Sequence, residues 1–283
     1  MRKALVLGGG GSYGIAWESG LLVGLAEAGM DVREADFIVG TSAGSQVGTV
    51  VASGVDWEEI WAHQVDPPLK DRYVPSLIDM PALFRLYARI RSEAGSPKEW
   101  LLGLGTLSRQ TVTVSEADRL EEIEQRLQLP QPSKWPERLG IVGVDTLSGE
   151  RSMWTGRSGV DLIRAIAASS AVPGVYPAVT IGERRYLDGG VYSMENADQA
   201  EGYGKVLVLC VGLPIATPYT LDRQIEHLRR SGSDVEVIQP DQSVLSVLRQ
   251  AGGNALNPEV RTPVAEAAKA QGLSLSRKLA AFW

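Results

Sequence analysis

Phe37-Ile38-Val39-Gly40-Thr41-Ser42-Ala43-Gly44 is the stretch on which the reading of this chain turns. Its first three residues are apolar and two are β-branched, the character of a short buried strand. The segment Gly40-Thr41-Ser42-Ala43-Gly44 follows with no linker, and small residues continue at helical length to about Ala52. A strand that runs straight into a helix must turn sharply. Glycines two residues before and after Ser42 relieve the crowding of such a turn. A serine at its apex stands clear of the backbone, beside the N–H groups and the positive end of the helix dipole. Ser42 is therefore a candidate nucleophile. The alternative is an ordinary helix N-cap serine, and the strand before and helix after favour the nucleophile.

Working outward, residues 4–7 form another short apolar run ending in four glycines, and residues 15–28 read as a helix closed by Gly29. Strand, glycine turn, helix, strand, sharp turn, helix predicts a parallel sheet covered by helices. Downstream, residues 140–144 and 151–154 read as a hairpin-like pair turning around Leu147-Ser148-Gly149. Residues 160–170 are helical and stop at Pro173, and 185–187 form a strand that ends at Asp188-Gly189-Gly190. Strands are expected at 205–211 and 235–238, with helices at 221–230, 243–249 and 264–279. Between residues 57 and 110 the pattern loosens, broken by Pro67, Pro68, Pro75 and Pro81. This region is expected to be an insertion or lid over the sheet, within a single domain spanning 1–283 whose tail, from about 241, is helical.

Composition narrows the function. The chain has 283 residues, 44% of them apolar, and a formal net charge of −6. That balance argues against nucleic acid as a partner, because such binding rests on neutralising phosphates. One cysteine, Cys210, allows no intrachain disulfide and no cysteine zinc cluster; it sits in an apolar run and reads as a core residue. No apolar stretch reaches the roughly 18 residues of a membrane span, and the run after Met1-Arg2-Lys3 is too short for a signal peptide. The expected location is cytoplasmic. No metal-ligand cluster and no cofactor are expected.

Two further motifs carry chemistry. Gly8-Gly9-Gly10-Gly11-Ser12-Tyr13-Gly14 contains Gly9, Gly11 and Gly14 in dinucleotide-binding spacing. That reading wants an acid at the end of the second strand, but Asp36 stands at its start and Gly40 at its end. A phosphate loop would need Lys where Ile15 stands. A turn of bare N–H groups suited to an oxyanion remains. Asp188-Gly189-Gly190 is by itself an ordinary turn pair and gains weight only beside the other two.

In this order the three motifs resemble the patatin-like phospholipase family, and Ala168-Ser169-Ser170-Ala171-Val172-Pro173 resembles a further segment of it. The resemblance spans roughly residues 4–212. It implies a three-layer α/β/α fold with a mostly parallel central sheet, and a Ser–Asp dyad acting on lipid acyl esters. It implies Ser42 as nucleophile, Asp188 as base, and an oxyanion hole from Gly9, Gly10 and Gly11. Gly14, Gly40, Gly44, Gly189 and Gly190 complete the motifs. The family usually carries Arg or Lys where this chain has Tyr13, which leaves acyl hydrolysis firmer than phospholipid specificity.

An α/β-hydrolase triad is disfavoured, because only one strand–helix unit precedes Ser42. His227 sits in a polar helical stretch and His63 beside Trp61-Ala62 near the insertion. The expected partner is a lipid or fatty acyl ester, with transient contact at a membrane surface. Leu83, Leu86, Tyr87, Ile90, Trp100, Leu101, Leu102 and Leu104 could line an acyl channel or a lid, although ordinary core is the favoured reading. For the tail ending in Leu279, Phe282 and Trp283, docking on the domain is favoured over membrane contact. A thioesterase or small-ester esterase on the same scaffold is the alternative function; a non-catalytic or nucleotide-binding α/β protein is a third.

Overall fold

The computed structural model describes residues 1–66, 79–129, 131, 134–213 and 215–283. Pro67, Pro68 and Pro75 lie outside them. Among the described residues, eight strands make one mixed sheet: β1 (Lys3–Leu7), β2 (Phe37–Thr41), β3 (Leu139–Asp145), β4 (Arg151–Trp154), β5 (Val179–Ile181), β6 (Arg184–Asp188), β7 (Lys205–Leu209) and β8 (Asp234–Ile238). The order is β5-β6-β3-β2-β1-β7-β8, with β4 paired to β3. From β3 to β8 neighbouring strands are parallel, while β4, β5 and β6 join antiparallel.

Alternation along the central strands feeds both faces. Leu5, Leu7 and Ile38 enter the larger core with α1 (Gly11–Glu27), α2 (Ala43–Ala52), α6 (Glu116–Leu127), α7 (Leu162–Ser169), α9 (Gln242–Gln250) and α10 (Arg261–Phe282). Ala4, Val6 and Val39 face the other way, toward Leu228 of α8 (Leu221–Arg230). Helices, sheet, helices: this is a three-layer α/β/α fold with a mostly parallel sheet. Among the described residues no helix is long and apolar enough to cross a membrane.

The stretch expected to be an insertion divides. In α3 (Trp57–Val65), Ile60 joins the main core. In α5 (Pro97–Gln110), Trp100, Leu101 and Leu104 pack on Val144 and Leu187 of the sheet. Among the described residues of this stretch, α4 (Met80–Glu93) is the helix that stays largely outside, with Leu83 its sole buried residue. The tail docks: α10 lies against α1 so closely that a Cβ on Gly20 would stand 2.3 Å from the Ala265 carbonyl, and Leu279 is buried.

The structure adds β5 and α6, which periodicity did not reveal. The α6 sequence is strongly charged, but Ser115 caps it through Asp118, and Leu120, Ile123 and Leu127 mark its apolar side. The helix expected from residue 15 begins at Gly11 instead. Its first turn is completed from the far end of the chain, where the Ala255 carbonyl accepts the Tyr13 N–H at 2.9 Å, a partner no local pattern announces.

Candidate active site

The register of β3 assembles the site. Val142 pairs with both Thr41 and Met153, and Gly143 with both Ser152 and Asp188. Strands β2 and β6 therefore lie end to end along one edge of β3, running toward each other, with their C-terminal ends meeting. Ser42 follows the last residue of β2, and Asp188 is the last residue of β6. Residues 146 positions apart are thereby neighbours, and the Ser42 Oγ donates a hydrogen bond to Asp188 Oδ2 at 2.8 Å.

Ser42 adopts φ 53° and ψ −113°, left-handed backbone that a non-glycine residue holds only when its surroundings enforce it. They do so by close packing. A Cβ on Gly44 would stand 2.2 Å from the Leu7 carbonyl oxygen, and one on Gly40 would stand 2.6 Å from the Gly44 carbonyl. With bare α-carbons at both, α2 lies directly on β1 and on the end of β2. The Gly44 N–H donates to the Gly8 carbonyl at 3.0 Å, joining the two glycine motifs. The Ser42 N–H donates to Ser169 Oγ at 2.9 Å.

Asp188 is almost wholly buried, and its carboxylate is held at both oxygens: Oδ1 accepts the Gly190 N–H at 2.7 Å and Oδ2 accepts Ser42. Burial raises its pKa to about 7, against the lowering effects of the Gly190 and Ser42 hydrogen bonds and the Arg119 charge. A carboxylate of near-neutral pKa bonded to a serine hydroxyl can accept its proton far more readily than an ordinary aspartate. Gly189 packs against the Val142 carbonyl, where a Cβ would come within 2.6 Å.

The glycine-rich turn lies alongside. Gly9 approaches Ser42 so closely that a Cβ there would stand 3.3 Å from the serine Cβ. The Gly9 N–H, expected among the oxyanion donors, is engaged by the Met194 carbonyl at 2.7 Å. The N–H groups of Gly10 and Gly11, at the start of α1, make no hydrogen bond among the described residues. Gly14 faces Ala43 across the α1–α2 contact and donates to the Gly10 carbonyl at 2.8 Å. Tyr13 is fully buried; burial first, then the Asp241 charge, pushes its pKa up to about 12.

Three groups escaped the sequence reading. Ser169 belongs to the segment 168–173, whose sequence carries no sign of its bond to Ser42. Arg119 lies on a helix that was not anticipated. Behind the glycine turn, Glu18 and Glu195 are buried acids whose pKa values burial raises, and for Glu18 the Glu195 charge adds to the rise. Of the histidines, His227 is exposed on α8, 3.3 Å from Glu201, and His63 lies on α3; neither bonds to Ser42 or Asp188. Cys210 is buried, its pKa pushed up to about 12 by burial.

The family model of patatin-like phospholipases matches residues 5–201, which include most of β1, all of β2 to β6 and both Ser42 and Asp188. The chain belongs to the patatin-like phospholipase family. It is an ester-bond hydrolase of the lipid acyl class. No curated protein sequence matches it. Among solved structures, VipD from Legionella pneumophila aligns over 98% of this chain and 67% of its own, at 13% identity and a TM-score of 0.49. The type III effector ExoU aligns over 98% of this chain at 17% identity and a TM-score of 0.45. In its complex with SpcU from Pseudomonas aeruginosa the TM-score is 0.44 at the same identity. This patatin-like chain spans about half the length of ExoU, 53% and 51% of the chains in those two structures. The family match ends before β7; β7, β8 and α8–α10 lie beyond it yet supply strands to the sheet and the helix packed on α1.

Proposed function

We propose that this patatin-like chain cleaves lipid acyl esters through an acyl-enzyme on Ser42, with Asp188 as the only side-chain base. The observation that carries the reading is the 2.8 Å hydrogen bond from Ser42 to a buried carboxylate of near-neutral pKa. Ser42 Oγ attacks the ester carbonyl while its proton passes to Asp188. The tetrahedral oxyanion is met by the Gly10 and Gly11 N–H groups and the N-terminal end of α2. The bond to the alcohol breaks, and the departing alkoxide takes the proton from Asp188. Water then attacks the acyl-serine and gives a proton to Asp188. The fatty acid leaves as the proton returns to Ser42.

The substrate reaches the site beneath α4, which acts as the lid. Ser42 is only 7% exposed. Leu83 of α4 clusters with Val175 and Tyr176, Leu256 joins the same cluster, and the Tyr87 hydroxyl, near enough to feel the Asp188 charge, donates to the Pro173 carbonyl at 2.6 Å. Phe84 and Leu86 on the outer side of α4 are exposed beside Arg85 and Arg89, a composition suited to transient contact with a lipid surface.

The test is active-site labelling with a fluorophosphonate, followed by a panel of diacyl and lysophospholipids, p-nitrophenyl esters of graded length and acyl-thioesters. Labelling and fatty-acid release are expected in the wild type and not in Ser42→Ala. An unlabelled wild-type serine would overturn the mechanism. Turnover of thioesters or short esters alone would move the substrate class to the alternative esterases.

A further inference from the structure

We infer that Arg119 is a positioning residue for the Ser42–Asp188 pair, anchoring the segment to which both residues bond and setting the electrostatic environment of the carboxylate. This rests on the dyad mechanism proposed above. Arg119 lies on α6 and is 1% exposed. A charge taken so far out of water needs partners, and an apolar residue would serve a purely structural contact as well or better. Its Nη1 donates to Glu122 Oε2 at 2.7 Å, its Nη2 to Ser170 Oγ at 3.3 Å, and the guanidinium lies 3.7 Å from the Tyr176 ring centroid.

The Ser170 contact ties the cation to the site. Three consecutive residues each hold a different member of the group: Ser169 Oγ accepts the Ser42 N–H, Ser170 Oγ accepts from Arg119, and the Ala171 carbonyl accepts the Asp188 N–H at 3.1 Å. Movement of this segment would disturb nucleophile and base together. The Arg119 charge also favours the ionised form of Asp188, countering burial.

The other groups around this pair are few. Glu122 and Arg126 stand on α6 itself and are bonded to each other. Tyr176 comes from the connector after α7, and Tyr87 from α4 feels the Asp188 charge. Arg164 of α7 is turned to Glu116.

The experiment measures the fluorophosphonate labelling rate of the full chain against pH, with thermal melting as the control for folding. Labelling of the wild type rises as Asp188 ionises. In Arg119→Met the carboxylate loses a favourable charge, so the acid limb moves to higher pH by about 0.5–1 unit. Labelling near pH 6 then falls about three- to tenfold relative to the loss near pH 9. Arg119→Lys keeps the positive charge and leaves the limb close to that of the wild type. Glu122→Gln keeps an acceptor but removes a negative charge, so the limb moves to lower pH, the opposite direction. A structural role alone would lower the melting temperature in both and leave the limb in place. Limbs coincident with wild type in Arg119→Met and Glu122→Gln would overturn the inference while leaving the dyad standing; an unlabelled wild type would overturn both. Should Arg119→Met not fold, the downward shift in Glu122→Gln decides.

Discussion

Helices α2 and α4 are built in opposite ways. In α2, eight of ten residues are buried, and the backbone lies directly on β1 through Gly44. In α4, Leu83 is the sole buried residue of fourteen, and a few side chains hold the helix in place. Contact density of the first kind fixes a strained serine geometry. Sparse contact of the second kind permits local opening at low free energy. The Ser42 turn and α4 draw their stability from different sources, so each can be perturbed with the other left intact.

The largest effect is expected from attacking the rigid side. In Gly44→Ala the added methyl would stand 2.2 Å from the Leu7 carbonyl oxygen. Helix α2 must then back away from β1, at about 3 kcal/mol or more. Thermal melting should fall by about five degrees or more, and an unchanged melting temperature would refute the packing argument.

Asp188→Asn acts on the same side with the opposite sign. The folded pKa of about 7 lies above an unfolded value near 3.9. The native state therefore binds more protons across that interval, and the wild type loses stability as pH rises through it. An asparagine has no ionised form to bury. The variant should be inactive yet more stable than wild type at pH 8, by roughly 1–3 kcal/mol, with the gain vanishing near pH 4. Equal melting curves at pH 8 would contradict the assigned burial of charge.

Tyr87→Phe probes the loose side with the smallest change. It removes the hydrogen bond to the Pro173 carbonyl, worth about 1 kcal/mol. Amide hydrogen exchange across α4 should quicken about fivefold while α2 stays protected. Faster exchange in both helices would mean they open together, and the contrast would fail.

Much of the platform was legible before the fold. Short apolar runs ending in glycine turns announce β1 and β2, because buried parallel strands and sharp strand–helix turns admit few residue types; β6, an antiparallel strand beginning with two arginines, shows itself mainly by the Asp188-Gly189-Gly190 turn that ends it. Ser42 stands out from its turn alone, Asp188 only through the family resemblance, and the structure places the serine and the aspartate in contact. The charged sequence of α6 hid a helix whose buried face carries an arginine. The three-residue strand β5 left no periodicity to detect. Sequence alone does not distinguish Gly9 from Gly10 and Gly11, whereas the fold engages the Gly9 N–H with the Met194 carbonyl.

By itself the sequence determined the elements whose local chemistry admits one solution: the glycine turns, the helices and strands flanking them, and the family they define. Only the tertiary structure decided the rest. It set β2 and β6 end to end on β3, brought Asp188 into a buried site where its pKa climbs to about 7, and set Arg119 against Ser170. Those properties depend on which groups exclude water from which others, and residues 146 positions apart become neighbours only when the chain has closed around them.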